Sequence, residues 1–95
     1  MFAVTVTFMI LPGQMDRFLP LMIENARTSL QVEPSCQQFD VCRGDDPDVV
    51  FLYEIYDDRA AFDLHLASPH FQTFDAAVQD MIAHKDVRLY SQVQR

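Results

Sequence analysis

Residues 49 to 56, Val-Val-Phe-Leu-Tyr-Glu-Ile-Tyr, constrain the fold more than any other stretch. β-branched and aromatic residues in an eight-residue run bounded by turn formers predict a strand. Its period of two puts Phe51, Tyr53 and Ile55 on one side and Val50, Leu52 and Tyr56 on the other. Both faces are therefore apolar, and both need cover. A chain of 95 residues is too short for a second core, which would need roughly another 50 to 100 residues, so one domain must cover this strand.

The rest of the chain supplies candidates for that cover. Residues 2 to 10 alternate Phe2, Val4, Val6, Phe8 and Ile10 with Ala3, Thr5, Thr7 and Met9, which predicts a strand ended by Pro12 and Gly13. From about 14 to 32, Met15, Phe18, Leu19, Met22, Ile23, Ala26 and Leu30 recur at helical spacing, with Asp16, Glu24, Arg27 and Gln31 turned outward. Pro20 is expected to kink that helix. Glu33-Pro34-Ser35 closes it, Cys-Gln-Gln-Phe-Asp-Val-Cys-Arg follows as a strand, and Gly-Asp-Asp-Pro-Asp (44 to 48) is the turn into residues 49 to 56. A short helix with an acidic start covers 57 to 67. A second helical piece runs from Ser68, an N-cap followed by Pro69 at the first helical position, to about Ala83, and residues 87 to 93 form a last strand.

The order β-α-β-β-α-β predicts an α+β, ferredoxin-like split βαβ fold, with an antiparallel four-stranded sheet and its helices on one face. The other face is then left for a second copy of the chain, which predicts a homodimer with sheets packed face to face, as a dimeric α/β barrel. A net charge of -7, from fourteen acidic and seven basic residues, argues against nucleic acid and anionic membranes as partners. Cys36 and Cys42 fall at opposite ends of one strand, about 20 Å apart and too far for a disulfide, so free thiols and a cytoplasmic location are expected. The apolar N-terminus has the period of a strand and lacks the basic start of a signal peptide.

Titratable groups stand out in Phe-Asp-Leu-His-Leu-Ala-Ser-Pro-His-Phe, residues 62 to 71. His65 ends one helical segment and His70 lies in the first turn of the next, where unpaired backbone N–H groups favour an anion. Imidazoles there are packed side chains or proton-handling groups. The spacing argues against a metal, because a zinc helix places histidines four apart on one face and no carboxylate stands at ligand spacing. Glu54 interrupts the apolar run and must meet a partner or a wet cleft; Arg88 and Arg27 are the candidate partners for a bridge. Tyr53, Tyr56 and Tyr90 read as core aromatics able to turn a hydroxyl into a pocket, and neither cysteine has a neighbouring cation to activate it.

Pro-Gly-Gln-Met-Asp-Arg-Phe-Leu-Pro-Leu-Met at the first helix, Asn25, Glu-Pro-Ser-Cys-Gln-Gln-Phe-Asp-Val, Tyr53-Glu54 followed by His65, Ser68, His70 and Phe71, and the closing Arg-Leu-Tyr-Ser-Gln-Val resemble the antibiotic biosynthesis monooxygenase superfamily. Ser35 departs from the glycine usual after Glu-Pro in that pattern, so that turn must be strained or different. The resemblance implies a small-molecule enzyme without cofactor or metal. Either a quinol or hydroxylated aromatic is oxidised with O2, or a phosphorylated hydroxy-diketone is isomerised as in autoinducer-2 catabolism. It also implies catalytic roles for His65, His70, Tyr53 and Glu54, and substrate contacts from Asn25, Phe39, Tyr56, Ser68 and Phe71. The lack of Trp argues against the haem-degrading branch. A non-catalytic dimer that binds a small hydrophobic ligand is the competing reading from a different class.

Overall fold

The computed structural model describes all 95 residues. The chain runs β1 (Phe2–Ile10), α1 (Met15–Val32), β2 (Cys36–Cys42), β3 (Val49–Tyr56), α2 (Arg59–Ala67), α3 (Pro69–Val78), a 3-10 turn (Gln79–Met81) and β4 (Ile82–Tyr90). The four strands form one antiparallel sheet in the order β2-β3-β1-β4. This is the expected ferredoxin-like arrangement. The register sets Val4 opposite Glu54 and Leu89, Val6 opposite Leu52 and Val87, and Phe8 opposite Val50 and Lys85, so these side chains share one face.

That face carries the core. Phe2, Val4, Val6, Phe8 and Ile10 pack with Phe18 and Met22 of α1, Phe62 of α2 and Phe74 and Val78 of α3. The α1 stripe is rotated from the expected one: Asn25 and Ser29 are buried, whereas Leu30 is exposed. Serine fits where a helix approaches closely, and its hydroxyl is satisfied by donating to the Asn25 carbonyl at 2.9 Å. α1 continues through Pro20, which is exposed, so the carbonyl whose donor the proline lacks can be solvated.

Two boundaries near the C-terminus differ from expectation. α3 stops at Val78, and β4 begins at Ile82 instead of 87 and ends at Tyr90. Met81 is buried in phase with the preceding helix, so its apolar stripe extends beyond the helix. β4 is an edge strand bearing His84, Lys85, Asp86 and Arg88, and their polarity hides the alternation. Ser35 adopts no left-handed conformation, since the sole positive φ belongs to Gly13 at 83°, and the turn after Glu33 takes another form. Asp58 caps α2 by accepting from the Ala61 N–H at 2.8 Å, and Ser68 caps α3 by accepting from the Phe71 N–H at 3.3 Å. Cys36 and Cys42 are free thiols, the first buried and the second exposed. No helix is long and apolar enough to cross a membrane.

Candidate active site

Between the sheet and the helices lies a cavity of about 290 Å³. Val4, Val6 and Phe8, with Leu52, Glu54 and Phe39, form its floor, and Met22, Asn25, Phe62, His65, Phe71 and Phe74 its roof. Arg59, Leu66, Lys85, Val87 and Leu89 complete the wall and are exposed, so the mouth opens along β4. Few polar groups reach this largely apolar space. Each has a different physical state.

His65 is brought there by α2, whose last turn it occupies. Its Nδ1 lies 2.8 Å from Glu33 Oε2 and 3.4 Å from Ser29 Oγ. The ring is packed among Phe39, Tyr56, Phe62 and Phe71. Burial lowers the His65 pKa from its ordinary value, with Glu33 opposing the shift, so the imidazole is neutral at neutral pH. Glu33 Oε2, as the acceptor, then selects the tautomer protonated on Nδ1, and Nε2, which has no protein partner, keeps its lone pair. The same Glu33 Oε2 lies 2.5 Å from His70 Nε2, which is also 3.2 Å from Ser68 Oγ. Ser68 Oγ donates to the His65 carbonyl at 2.6 Å, so the capping serine ties the two helix segments together.

Glu54 is 3 % exposed and accepts from the Tyr56 hydroxyl at 2.6 Å. Burial pushes its carboxyl up to about 7; the Tyr56 hydrogen bond and Lys85 hold it down in part, and Glu33 adds to the rise. Neither Arg88 nor Arg27 bridges it. Arg88 faces the opposite side of the sheet and pairs with Asp86 at 3.0 Å, and the buried Tyr56 occupies the place of the expected cation. Burial, followed by the neighbouring Glu54, drives the Tyr56 hydroxyl far above its ordinary pKa, which makes it a permanent donor. Asn25 Oδ1 is buried without any partner and belongs to a residue lining the cavity, so a hydroxyl of a bound molecule would be its first donor.

Of the residues singled out in the sequence, Asn25, Phe39, Glu54, His65 and Phe71 line the cavity. Tyr53 does not: the alternation of β3 turns it to the sheet face opposite Glu54. Tyr56, Ser68 and His70 stand one layer behind, Tyr56 against Glu54 and the other two against His65 and Glu33. At the start of α3, Ser68 accepts from the Phe71 N–H, and of that first turn only Phe71 lines the cavity. Burial, then Glu33 and Glu54, push the Cys36 thiol up to about 12, which makes it inert.

Sequence reasoning missed Glu33, Lys85 and Arg59. Glu33 lies at the negative end of an 18-residue helix with no basic residue in its last turn, a placement that disfavours a carboxylate unless a distant partner holds it. That misfit was the available signal. Lys85 shares a face with Val87 and Leu89 once β4 starts at Ile82. The spacing argument against a metal also changes, because Glu33 supplies the carboxylate that no nearby sequence position offered.

The fold superposes on a Nitrosomonas europaea protein assigned as an antibiotic biosynthesis monooxygenase with a TM-score of 0.93, at 25% identity over 99% of this chain and 100% of that one. The crystal structure of another antibiotic biosynthesis monooxygenase gives 0.89 at 29% identity, over 99% and 100% of the two chains. Rv0793 from Mycobacterium tuberculosis shares the fold with a TM-score of 0.90 at 24% identity, over 99% and 96%. No curated protein matches the chain. The family model for antibiotic biosynthesis monooxygenase matches residues 1–77, most of the chain, and with the fold and cavity above this makes the protein a member of the antibiotic biosynthesis monooxygenase family.

Proposed function

We propose that the protein is a cofactor-independent monooxygenase acting on a small quinol or hydroxylated aromatic. The observation that carries this reading is the unpartnered Nε2 of His65 in the wall of an apolar cavity, with Nδ1 held by Glu33. That arrangement makes a base. Nε2 takes the hydroxyl proton of the substrate, and the phenolate that forms is rich enough in electrons to reduce O2. Radical recombination at a ring carbon that bears hydrogen, ortho or para to the oxygen, forms a C–O bond, and His65 returns its proton to the terminal peroxide oxygen. Loss of the C–H proton from that carbon then expels hydroxide as the O–O bond breaks, leaving a quinone carbonyl, and the hydroxide takes up that proton as water. Asn25 and the protonated form of Glu54 orient the substrate oxygens. His70, through Glu33, and Tyr56, through Glu54, are positioning residues.

One observation favours a second reading, isomerisation of a phosphorylated hydroxy-diketone. Lys85 and Arg59 place one cation at each end of the cavity, Lys85 over the Phe8 ring and Arg59 over the Phe2 ring, so either can meet a phosphate independently of the α3 terminus. The same His65 would then move a proton between neighbouring carbons. Oxygen uptake with a quinol panel, compared with anaerobic proton exchange into a diketone phosphate followed by NMR, separates the two. Uptake that His65→Ala abolishes supports the monooxygenase; exchange without uptake supports the isomerase. Silence in both assays, with ligand affinity unchanged in His65→Ala, leaves a non-catalytic binder.

The free thiols suit a reducing compartment such as the cytoplasm. A homodimer through the uncovered sheet face is supported by the exposed Met9, Phe51 and Tyr90 and the half-buried Tyr53 on that side. Light scattering should give twice the chain mass, and Phe51→Asp should reduce it to the chain mass; a wild-type monomer would end this reading.

A further inference from the structure

Glu33 has a feature that its role as an orienting carboxylate does not require. Both imidazoles converge on one oxygen, Oε2, at 2.8 Å from His65 Nδ1 and 2.5 Å from His70 Nε2, whereas Oε1 receives no protein donor. Two independent hydrogen bonds would be accommodated better with one on each oxygen, since a carboxylate offers about four lone-pair sites over its two oxygens. Convergence on a point is the arrangement of ligands around a cation.

We propose that Glu33 Oε2, His65 Nδ1 and His70 Nε2 bind a first-row transition-metal dication, and that its binding reverses the hydrogen-bonding character of His65 toward the cavity. The three atoms lie within 4.8 Å of one another and come from three separately anchored pieces of backbone: the end of α1, the end of α2 and the first turn of α3. Tetrahedral ligand bonds of about 2.0 to 2.2 Å set ligand atoms about 3.4 Å apart, so the pairs at 2.5 and 2.8 Å need to open by about 0.6 to 0.9 Å, within reach of side-chain rotation. The side chains of Glu33 and His70 are each 15% exposed, which leaves an approach from solvent, and Ser68 Oγ is near enough to flank the ion. Two imidazoles and one carboxylate select zinc, cobalt, nickel, copper or iron over magnesium or calcium, which prefer oxygen donors.

The consequence for His65 follows from tautomer chemistry alone. An ion on Nδ1 moves the ring proton to Nε2, so the atom facing the cavity becomes a donor and loses the lone pair that accepts a proton. His70 undergoes the complementary shift, with its proton moving to Nδ1. Metal binding and basicity toward the cavity are thus mutually exclusive. The metal-binding half of the proposal is independent of the proposed reaction.

Titration of the untagged full chain with Co²⁺, read by visible d–d absorption, tests the site directly. One equivalent should produce a saturable band that Zn²⁺ displaces. Glu33→Gln and His70→Ala should each weaken binding by at least about 100-fold, since even outer-shell partners of a metal cost 10- to 100-fold, while His84→Ala, on the opposite sheet face, should leave it unchanged. Circular dichroism establishes that each variant is folded. Proton–nitrogen correlation of the imidazoles in the wild-type chain gives a second readout that needs no variant: Zn²⁺ should shift His65 Nδ1 and His70 Nε2 and place a proton on His65 Nε2. Absence of a saturable band, or shifts confined to His84, would overturn the proposal.

Discussion

Two glutamates serve one cavity, Glu54 from its lining and Glu33 from behind His65, and the fold treats them differently. Glu33 caps the end of α1, is partly exposed, and accepts from two imidazoles contributed by helix ends. Glu54 sits inside the sheet with a single hydroxyl donor and a carboxyl pushed up to about 7. Near neutral pH, Glu54 exchanges its proton readily, whereas Glu33 acts through the orientation it imposes on His65. Residue type alone therefore does not assign a role; burial first, and then the donors within reach, do.

The largest expected effect tests the Glu33 end. If His65 is the base that Glu33 orients, His65→Ala lowers the rate of oxygen uptake by about 10²- to 10⁴-fold. Glu33→Gln, which leaves the imidazole in place but unconstrained, should produce a smaller loss, chiefly in kcat. Equal activity in His65→Ala and wild type would reverse the comparison and move the chemistry to Glu54.

The next effect tests Glu54 through stability. Its carboxyl is raised from 4.5 to about 7 on folding, so between these values the native state holds a proton that the unfolded state has released. Stability contributed by this group is complete below the unfolded value and is lost as pH rises through 7, by roughly 3 kcal/mol at pH 8. The groups facing it are the Tyr56 hydroxyl, Lys85 and Glu33. Glu54→Gln should therefore be close to wild type at pH 5 and more stable than it at pH 8 in urea unfolding. A parallel pH dependence in the two proteins would show that Glu54 does not titrate on its own.

Smaller effects separate scaffold from site. Ser68→Ala removes the α3 cap and the link between the two helix segments, at a cost of about 1 kcal/mol. For a domain of this size that lowers Tm by about 4 to 8 °C in a thermal melt. The smallest is a thiol count, since Cys36 lies between the fields of the two glutamates and Cys42 is exposed. A disulfide reagent at pH 8 should modify Cys42 alone in the native protein and both thiols after denaturation; fast native labelling of Cys36 would contradict the burial that also raises Glu54.

Alternation and helical spacing made the strands, the helix restart at Ser68-Pro69 and most of the core readable before any coordinates, because those signals are local. The oddity of Glu54 was readable for the same reason, whereas the site role of His65 rested on the family resemblance. Glu33 was not, since its partners lie 32 and 37 residues downstream and no local pattern encodes a contact that only the packed fold creates. β4 was misplaced because an edge strand with polar residues on both faces has weak alternation. Tyr53 was assigned to the site by motif, and a one-residue change of face in a strand is enough to send it to the other side of the sheet.

The carboxylate at the end of α1 also bears on the order in which the chain assembles. An isolated α1 would fray at its last turn, because Glu33 opposes the helix dipole there. That turn closes fully only when His65 and His70 arrive with α2 and α3. Local opening of the break between α2 and α3 should therefore release the end of α1 with it, so amide exchange at Val32 and Glu33 and at Ser68, His70 and Phe71 should proceed as one cooperative unit.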